Sequence, residues 1–243
     1  MPFPSIRTTA ILVAFCMPLL SLTSCVDDDS PTELPDLGYD YFPLTAGSFY
    51  IYRVDSIYHD QPSPDIAGIH DTSRYYVKEV YDTFVTDGSG DPAMRIERHK
   101  RNNDTLAWNI VDVWTAKLTP RNAQRVEENR RYIKLGFPVA AKTQWDANAL
   151  NILDTWTCSY DSIGYERQVG DFLFPRTVRV DQRDFKNLVD DQYAYEVYAA
   201  GVGLIRRYHR NLTTQINYVN NPVATNIRSG FEYHMELIDY GME

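Results

Sequence analysis

Histidines, cysteines and paired carboxylates are the residues of this 243-residue sequence that could bind a metal or act in catalysis. The five histidines lie far apart, with neither the H-x-H nor the H-E-x-x-H spacing that brings two imidazoles to one zinc ion. Asp190 and Asp191 are adjacent, and adjacent side chains on a strand point to opposite faces. The sequence contains no G-x-S-x-G, P-loop or G-x-G-x-x-G pattern. We therefore expect no metal site, no cofactor and no catalytic site.

The first 25 residues carry a clearer chemical signal. Arg7 precedes an apolar run, residues 10–22, that is too short to cross a bilayer as a stable helix. The run ends in Leu22-Thr23-Ser24-Cys25, which resembles the lipobox of bacterial lipoproteins. The resemblance implies that Cys25 receives fatty acyl chains such as palmitate and becomes the first residue of the mature, membrane-anchored protein. An ordinary secretory signal with an incidental cysteine is the alternative.

An acidic cluster, Asp27, Asp28 and Asp29, follows almost directly after Cys25. It resembles the export signal of Bacteroides-type surface lipoproteins, in which acidic residues just after the cysteine direct the protein to the outer leaflet. The resemblance implies a protein that is anchored in the outer membrane and exposed on the cell surface, with the periplasmic face as the other possibility. Alternatively, the cluster is only a solvated part of a flexible, proline-containing tether.

Three triplets, Asp55-Ser56-Ile57, Asp104-Thr105-Leu106 and Asp161-Ser162-Ile163, resemble the O-glycosylation sequon of exported Bacteroides-type proteins. The resemblance implies that at least one of the hydroxyls of Ser56, Thr105 and Ser162 carries a glycan. Asp-Ser and Asp-Thr also form Asx turns at strand ends, which is the alternative for each triplet.

Cys158 is the one cysteine that remains for the folded body, because Cys16 lies in the signal and Cys25 is expected to be acylated. An intramolecular disulfide is then impossible. On a strand, Cys158 shares a face with Trp156 and Tyr160, so we expect a small buried residue and not a nucleophile.

Net charge narrows the possible partners. The formal net charge is -9, and there is no sustained run of Lys or Arg. An acidic surface repels phosphate backbones, so we expect no nucleic-acid partner.

Alternation of apolar and polar residues predicts strands along most of the chain after the tether. One stripe marks the first strand and another marks the last: Tyr50, Tyr52 and Val54, and then Phe231, Tyr233, Met235 and Leu237. Short turn-forming runs separate the strands, which favours antiparallel pairing. We expect an all-β, mainly antiparallel fold: a curved sheet, half-barrel or barrel-like, with at most one short helix.

The predicted organisation has three parts: a lipoprotein signal peptide (residues 1–24), an acidic flexible tether (25–38) and a single β-rich domain (39–243). One helix is a candidate, because Thr119-Pro120 could begin a helix that reaches about Asn129. Alternatively, Glu128-Asn129 is the turn of a hairpin.

Three further segments resemble Bacteroides-type surface lipoproteins. They are residues 41–52, which begin Tyr41-Phe42-Pro43-Leu44, then Leu135-Gly136-Phe137-Pro138-Val139 followed by Trp145-Asp146-Ala147-Asn148, and finally Tyr198-Ala199-Ala200-Gly201-Val202-Gly203-Leu204-Ile205. The last segment is similar to a hairpin of half-barrel lipoproteins and of lipoprotein-carrier (Lol-type) folds, with Ala200 where proline is common. These segments imply a fold more than a function.

We expect a lipid-anchored envelope protein that binds an apolar ligand, such as a lipid, or a glycan on the concave face of its sheet. Tyr and Trp side chains would supply the amphipathic contact area there. The alternative is a structural or assembly subunit of an outer-membrane complex, which would expose an apolar patch to an envelope protein partner. The sequence does not identify the ligand-binding residues, and we do not expect an enzyme.

The lipobox predicts that Cys25→Ala abolishes acylation, because the thiol is the atom that receives the diacylglycerol. Cell fractionation and intact mass should show an unlipidated precursor or a soluble form. Membrane association at the unchanged level, with no acyl mass in either protein, would contradict the lipobox interpretation.

Overall fold

Twelve β-strands and one short 3-10 helix make up the part of the chain that the computed structural model describes, residues 35–60, 69–216 and 225–243. The 3-10 helix spans Tyr39–Tyr41. The strands are β1 (Ser48–Asp60), β2 (Ile69–Thr86), β3 (Pro92–Arg101), β4 (Asn109–Leu118), β5 (Asn122–Glu127), β6 (Arg130–Gly136), β7 (Gln144–Asp146), β8 (Thr157–Val169), β9 (Phe172–Lys186), β10 (Asp190–Ala199), β11 (Gly203–Ile216) and β12 (Thr225–Met242). Within the described ranges, no helix has the length and apolar character needed to span a membrane.

All twelve strands belong to one antiparallel sheet, ordered β6-β5-β4-β3-β2-β1-β12-β11-β10-β9-β8-β7. The two edge strands, β6 and β7, approach each other. The Ile133 N–H donates to the Ala147 carbonyl at 2.9 Å, and Trp145 Nε1 donates to the Ile133 carbonyl at 3.0 Å. The sheet is therefore nearly closed into a barrel, and the predicted all-β, antiparallel, barrel-like class is confirmed.

The segment from Thr119 to about Asn129, for which the sequence allowed either a helix or a hairpin, forms part of a hairpin. Residues 122–127 and 130–136 pair as β5 and β6, and the turn residues Glu128 and Asn129 have φ of 49° and 59°. Two successive positive φ values are typical of the tight type I′ turn that matches the twist of a hairpin. The helix from Thr119 to about Asn129 is therefore wrong.

Side chains of the first and last strands fill the interior as their alternation predicts. Val54 on β1 faces Met235 on β12, and both are buried, as is Leu237 at 0% exposed. Phe231 departs from the prediction because it is 36% exposed. Its cross-strand partner is Tyr58, near the far end of β1, so Phe231 lies on the inner face but beyond the packed core.

One end of the barrel, the plugged end, is covered by residues 37–44. The Gly201 N–H donates to the Asp40 carbonyl at 2.8 Å, and the Val139 N–H donates to the Leu37 carbonyl at 3.0 Å. These bonds join the segment to the β10–β11 and β6–β7 turns, which belong to separate parts of the sheet. The segment also buries two aromatic side chains in the core, Tyr41 and Phe42.

The other end, the open end, has a gap in its wall because β5, β6 and β7 are short. β5 pairs with β4 only over residues 115–118, and β8 pairs with β9 only as far as Asp181. Among the described residues, 109–114 of β4 and 182–186 of β9 therefore have no strand partner on the sides that face this gap. We call the gap the notch.

Because the two ends differ in packing, replacing a β12 side chain with alanine should reduce the free energy of unfolding by an amount that depends on the end at which it lies. Leu237→Ala removes a fully buried side chain and should destabilise the protein by about 2–5 kcal/mol. Phe231→Ala, on the same face of the same strand, should cost about 1–2 kcal/mol because about a third of the side chain is already in water. Thermal unfolding followed by circular dichroism measures both variants, and equal losses would contradict this account of the core.

Candidate functional site

A set of charged side chains lies on the inner face of the sheet, which in most barrels is apolar. Its members are alternately cationic and anionic across seven strands. We call this set the ionic layer: Glu79, Arg98, Asp112, Arg125, Glu127, Lys134, Glu196 and Arg207.

The first half of the ionic layer centres on Glu79 of β2. Arg125 Nη2 lies 2.5 Å from Glu79 Oε2, and Arg98 Nε donates to Glu79 Oε1 at 3.2 Å. The Arg98 guanidinium also stacks on the Trp114 ring, with Cζ 3.6 Å from the ring centroid. Arg98 reaches Asp112 at 3.4 Å. These contacts hold two guanidinium groups in fixed positions inside the barrel.

The second half centres on Glu196 of β10, which is only 1% exposed. Lys134 Nζ donates to Glu196 Oε1 at 2.8 Å, Arg207 Nε lies 2.7 Å from the same oxygen, and the Tyr198 hydroxyl donates to Oε2 at 2.5 Å. Glu127 lies 3.5 Å from Lys134 and 3.3 Å from Arg207. Both cations therefore lie between two carboxylates.

The pKa values of the two carboxylates show which charge state they hold. Burial by itself raises the pKa of Glu196, but Arg207 and Lys134 outweigh it and lower the pKa to about 2. The pKa of Glu127 is likewise lowered well below its usual range, because Lys134, Arg207 and Arg125 outweigh burial. Both groups are therefore ionised at neutral pH, and neither is suited to donate a proton as a general acid.

A cavity of about 280 Å³ adjoins the Glu196 half of the ionic layer. The charged groups of its floor are Glu127, Lys134, Glu196 and Arg207, and its other lining residues are Tyr132, Ile133, Ala147, Asn148, Leu153, Trp156, Gln182 and His209. The volume lies just below the range of about 300–1,000 Å³ that is typical of sites for drug-sized ligands. The cavity therefore fits a small ligand, or one unit of a larger ligand.

His209 of β11 adds a neutral polar group to the cavity. Burial, together with the nearby Arg207 charge, lowers the pKa of His209. A neutral imidazole offers one donor and one acceptor, which suits a hydroxyl group. The ring lies 6.2 Å from Trp156, centroid to centroid, so polar and aromatic surfaces are adjacent.

The balance of charge indicates which ligands the cavity accepts. The ionic layer contains four cations and four carboxylates, each within 4 Å of an opposite charge. An acyl chain on this floor would strip water from charged groups and give them no hydrogen bonds in return. An anion or cation would meet no excess of opposite charge. A neutral ligand with hydroxyl groups and an apolar face meets neither objection.

Of the residues predicted from resemblances, Ser56, Thr105 and Ser162 lie in the described part of the chain, and none of the three lines this cavity. Cys25, Asp27, Asp28 and Asp29 lie outside the described residues. Ser56 is half-buried on the inner face of β1, opposite Tyr233. Thr105 is exposed in the β3–β4 turn, where its N–H and hydroxyl bond to Asn103 Oδ1. Ser162 is half-buried on β8 and accepts a hydrogen bond from Arg167 at 3.2 Å.

Cys158 is buried, as its alternation with Trp156 and Tyr160 predicts. Burial raises the pKa of its thiol to about 12, so the thiol is protonated at neutral pH. In the described part of the chain, no group of three or more His, Cys, Asp or Glu is placed to hold a metal ion.

Sequence reasoning missed the ionic layer, and with it the floor of the cavity. The only signal was a charged residue at a position whose neighbours two residues away are apolar. Glu79 stands between Val77 and Tyr81, and Glu196 stands between Ala194 and Tyr198. Such positions fall on the inner face, so the pattern would have predicted buried charges.

No family model matches the sequence, and no curated protein matches it significantly. Two solved structures are similar to this chain. One, a "putative lipoprotein" from Parabacteroides distasonis, is 14% identical with a TM-score of 0.38, and the match covers 83% of this chain and 98% of the other. The second is a lipovitellin, studied for its lipid–protein interactions; it is 7% identical with a TM-score of 0.40, and the match covers 82% of this chain and 26% of the lipovitellin chain. At these TM-scores, neither likeness bears on the function.

Proposed function

We propose that this chain is a lipid-anchored envelope protein that binds a neutral, sugar-like ligand in the cavity beside the ionic layer. One observation carries the proposal. The rings of Trp156 and Tyr132 line a cavity whose floor consists of charged groups, each in contact with an opposite charge. Aromatic rings pack against the apolar faces of sugars, and fixed polar groups bond to their hydroxyls. Glu127, Lys134 and Arg207, which keep partial exposure, offer both acceptors and donors for those bonds.

The same site favours binding over hydrolysis. Glycoside hydrolysis needs one carboxylic acid that is protonated and one carboxylate that is ionised. Glu127 and Glu196 are both ionised at neutral pH because Lys134 and Arg207 lower the pKa of each. Neither can protonate a leaving group, so we propose a binding protein and not an enzyme.

The cavity and the ion pairs of Asp36 and Asp40 lie toward opposite ends of the barrel. Asp36 and Asp40 pair with Arg176 at the plugged end, whereas the cavity is near the notch, toward the open end. Segment 37–44 therefore does not obstruct a ligand that enters through the notch.

The proposal is tested with a glycan array, probed with the full-length mature protein in detergent micelles. We expect binding to at least one class of neutral glycan. Native mass spectrometry of the same material should show no bound fatty acid. A fatty acid or phospholipid that copurifies and is displaced by substitutions in the cavity would overturn the proposal.

Tyr132→Ala and Trp156→Ala should each weaken glycan binding roughly ten-fold, or about 1.4 kcal/mol. Each variant removes an aromatic wall of the cavity. Tyr165→Ala is the matched control, because Tyr165 is an exposed tyrosine that does not line the cavity. Isothermal titration calorimetry measures all three affinities. Equal effects of Tyr132→Ala and Tyr165→Ala would place the ligand elsewhere.

One observation favours the second candidate function, an assembly subunit. Residues 109–114 of β4 have no strand partner on the notch side, and this part of β4 exposes three β-branched residues, Ile110, Val111 and Val113. An exposed edge with apolar side chains is a template for pairing with a strand of another protein.

Val113→Lys tests this second function. A lysine on the edge should remove a stoichiometric envelope partner from material purified in mild detergent, because a charge there disfavours strand addition. Glycan binding should not change, since Val113 does not line the cavity. Purification without any stoichiometric partner from the unsubstituted protein would contradict the assembly function.

A further inference from the structure

A row of aromatic side chains leads away from the cavity along the inner face of the sheet. Trp156, just before β8, lies 6.2 Å from His209 of β11, and His209 lies 5.0 Å from Phe231 of β12. Phe231 is the cross-strand partner of Tyr58 on β1. We call these four residues the aromatic row. It begins in the cavity and crosses three adjacent strands, β11, β12 and β1.

The far half of the aromatic row is accessible to solvent. Phe231 is 36% exposed and Tyr58 is 56% exposed, although both lie on the face that carries the buried Val54, Met235 and Leu237. Large aromatic side chains on an inner face normally pack against the opposite wall of the barrel. Here β1 and β12 lie at the middle of the sheet order, across the barrel from β6 and β7. Because β6 and β7 are short, they do not extend far enough to cover these two rings.

The chemistry of the row fits a chain of neutral sugars better than other extended ligands. The centroids of successive rings from Trp156 to Phe231 lie 6.2 and 5.0 Å apart. The polar groups beside the row can bond to hydroxyls: Asn211 is the cross-strand partner of Phe231, and Asp71 is the cross-strand partner of Tyr58. An acyl chain would have to end on the charged floor of the cavity. An oligosaccharide places hydroxyl groups on that floor and ring faces on the row.

We propose that the ligand is a neutral oligosaccharide, with one sugar in the cavity and the following sugars on His209, Phe231 and Tyr58. This inference rests on the proposed function, since it extends the sugar site of the cavity into several subsites. The notch leaves the far end of the row open, so the glycan continues into solvent.

The test is calorimetric titration of the full-length mature protein in detergent micelles. The probes are sugars of one to six residues from the cellulose, starch, xylan, chitin and mannan series. In the series that binds, we expect the affinity to rise at least ten-fold from one to four residues. Phe231→Ala and Tyr58→Ala should remove most of this rise and leave the affinity for the monosaccharide unchanged. Tyr165→Ala, outside the row, should change neither.

The outcomes separate the inference from the proposed function. A monosaccharide that binds, with no gain on lengthening, overturns the aromatic row as a set of subsites and leaves the cavity as the sugar site. Loss of monosaccharide and oligosaccharide affinity to the same extent in Phe231→Ala also overturns it. If no sugar of any series binds, or if an extended peptide or fatty acid occupies the row instead, both the proposed function and the inference fail.

Discussion

The pairing of charges inside the barrel is the interaction on which the rest of the structure depends. An unpaired buried charge costs several kcal/mol, so every strand that contributes to the ionic layer has to hold its charged residue within reach of an opposite charge. Two of these ion pairs join strands that are not neighbours in the sheet. Lys134 of β6 contacts Glu196 of β10, and Arg207 of β11 contacts Glu127 of β5. Those contacts exist only because β6 and β7 meet, so the ionic layer requires the near closure of the barrel.

The ionic layer is weak evidence for stability by itself. Well-packed apolar residues in place of a buried ion pair are often neutral or stabilising, whereas removal of one partner alone costs about 3–5 kcal/mol. The charges are better explained by what they provide, which is a rigid polar floor at the boundary between the packed core and the open end. Glu196 illustrates this, because Lys134, Arg207 and Tyr198 fix its carboxylate from three directions. A ligand that meets such a floor does not have to order it first.

The alternation of apolar and polar residues was sufficient to predict the fold class. Where predictions from this alternation failed, the failure has a physical reason. The hairpin of β5 and β6 was ambiguous because Arg, Asn, Gln and Glu dominate it, and its inner face carries Arg125 and Glu127 instead of apolar residues. Alternation showed which face Phe231 is on, but it could not show how far the opposite wall extends. The lengths of β5, β6 and β7 determine how far this wall extends toward the open end. The cavity was missed for the same reason, since its floor needs charged residues on strands that only the closed sheet brings together.

The two ends of the barrel differ in how completely they are packed. At the plugged end, Tyr41 and Phe42 complete the core, and the ion pairs of Arg176 with Asp36 and Asp40 fix the chain where it enters the barrel. This end offers a ligand no open inner surface, because the segment 37–44 fills it. The open end has the reverse character, with exposed rings on the inner face and a low wall. Because segment 37–44 completes the core at the plugged end, the barrel can leave its other end unpacked. Close packing at one end is thus the physical condition for an open inner surface at the other.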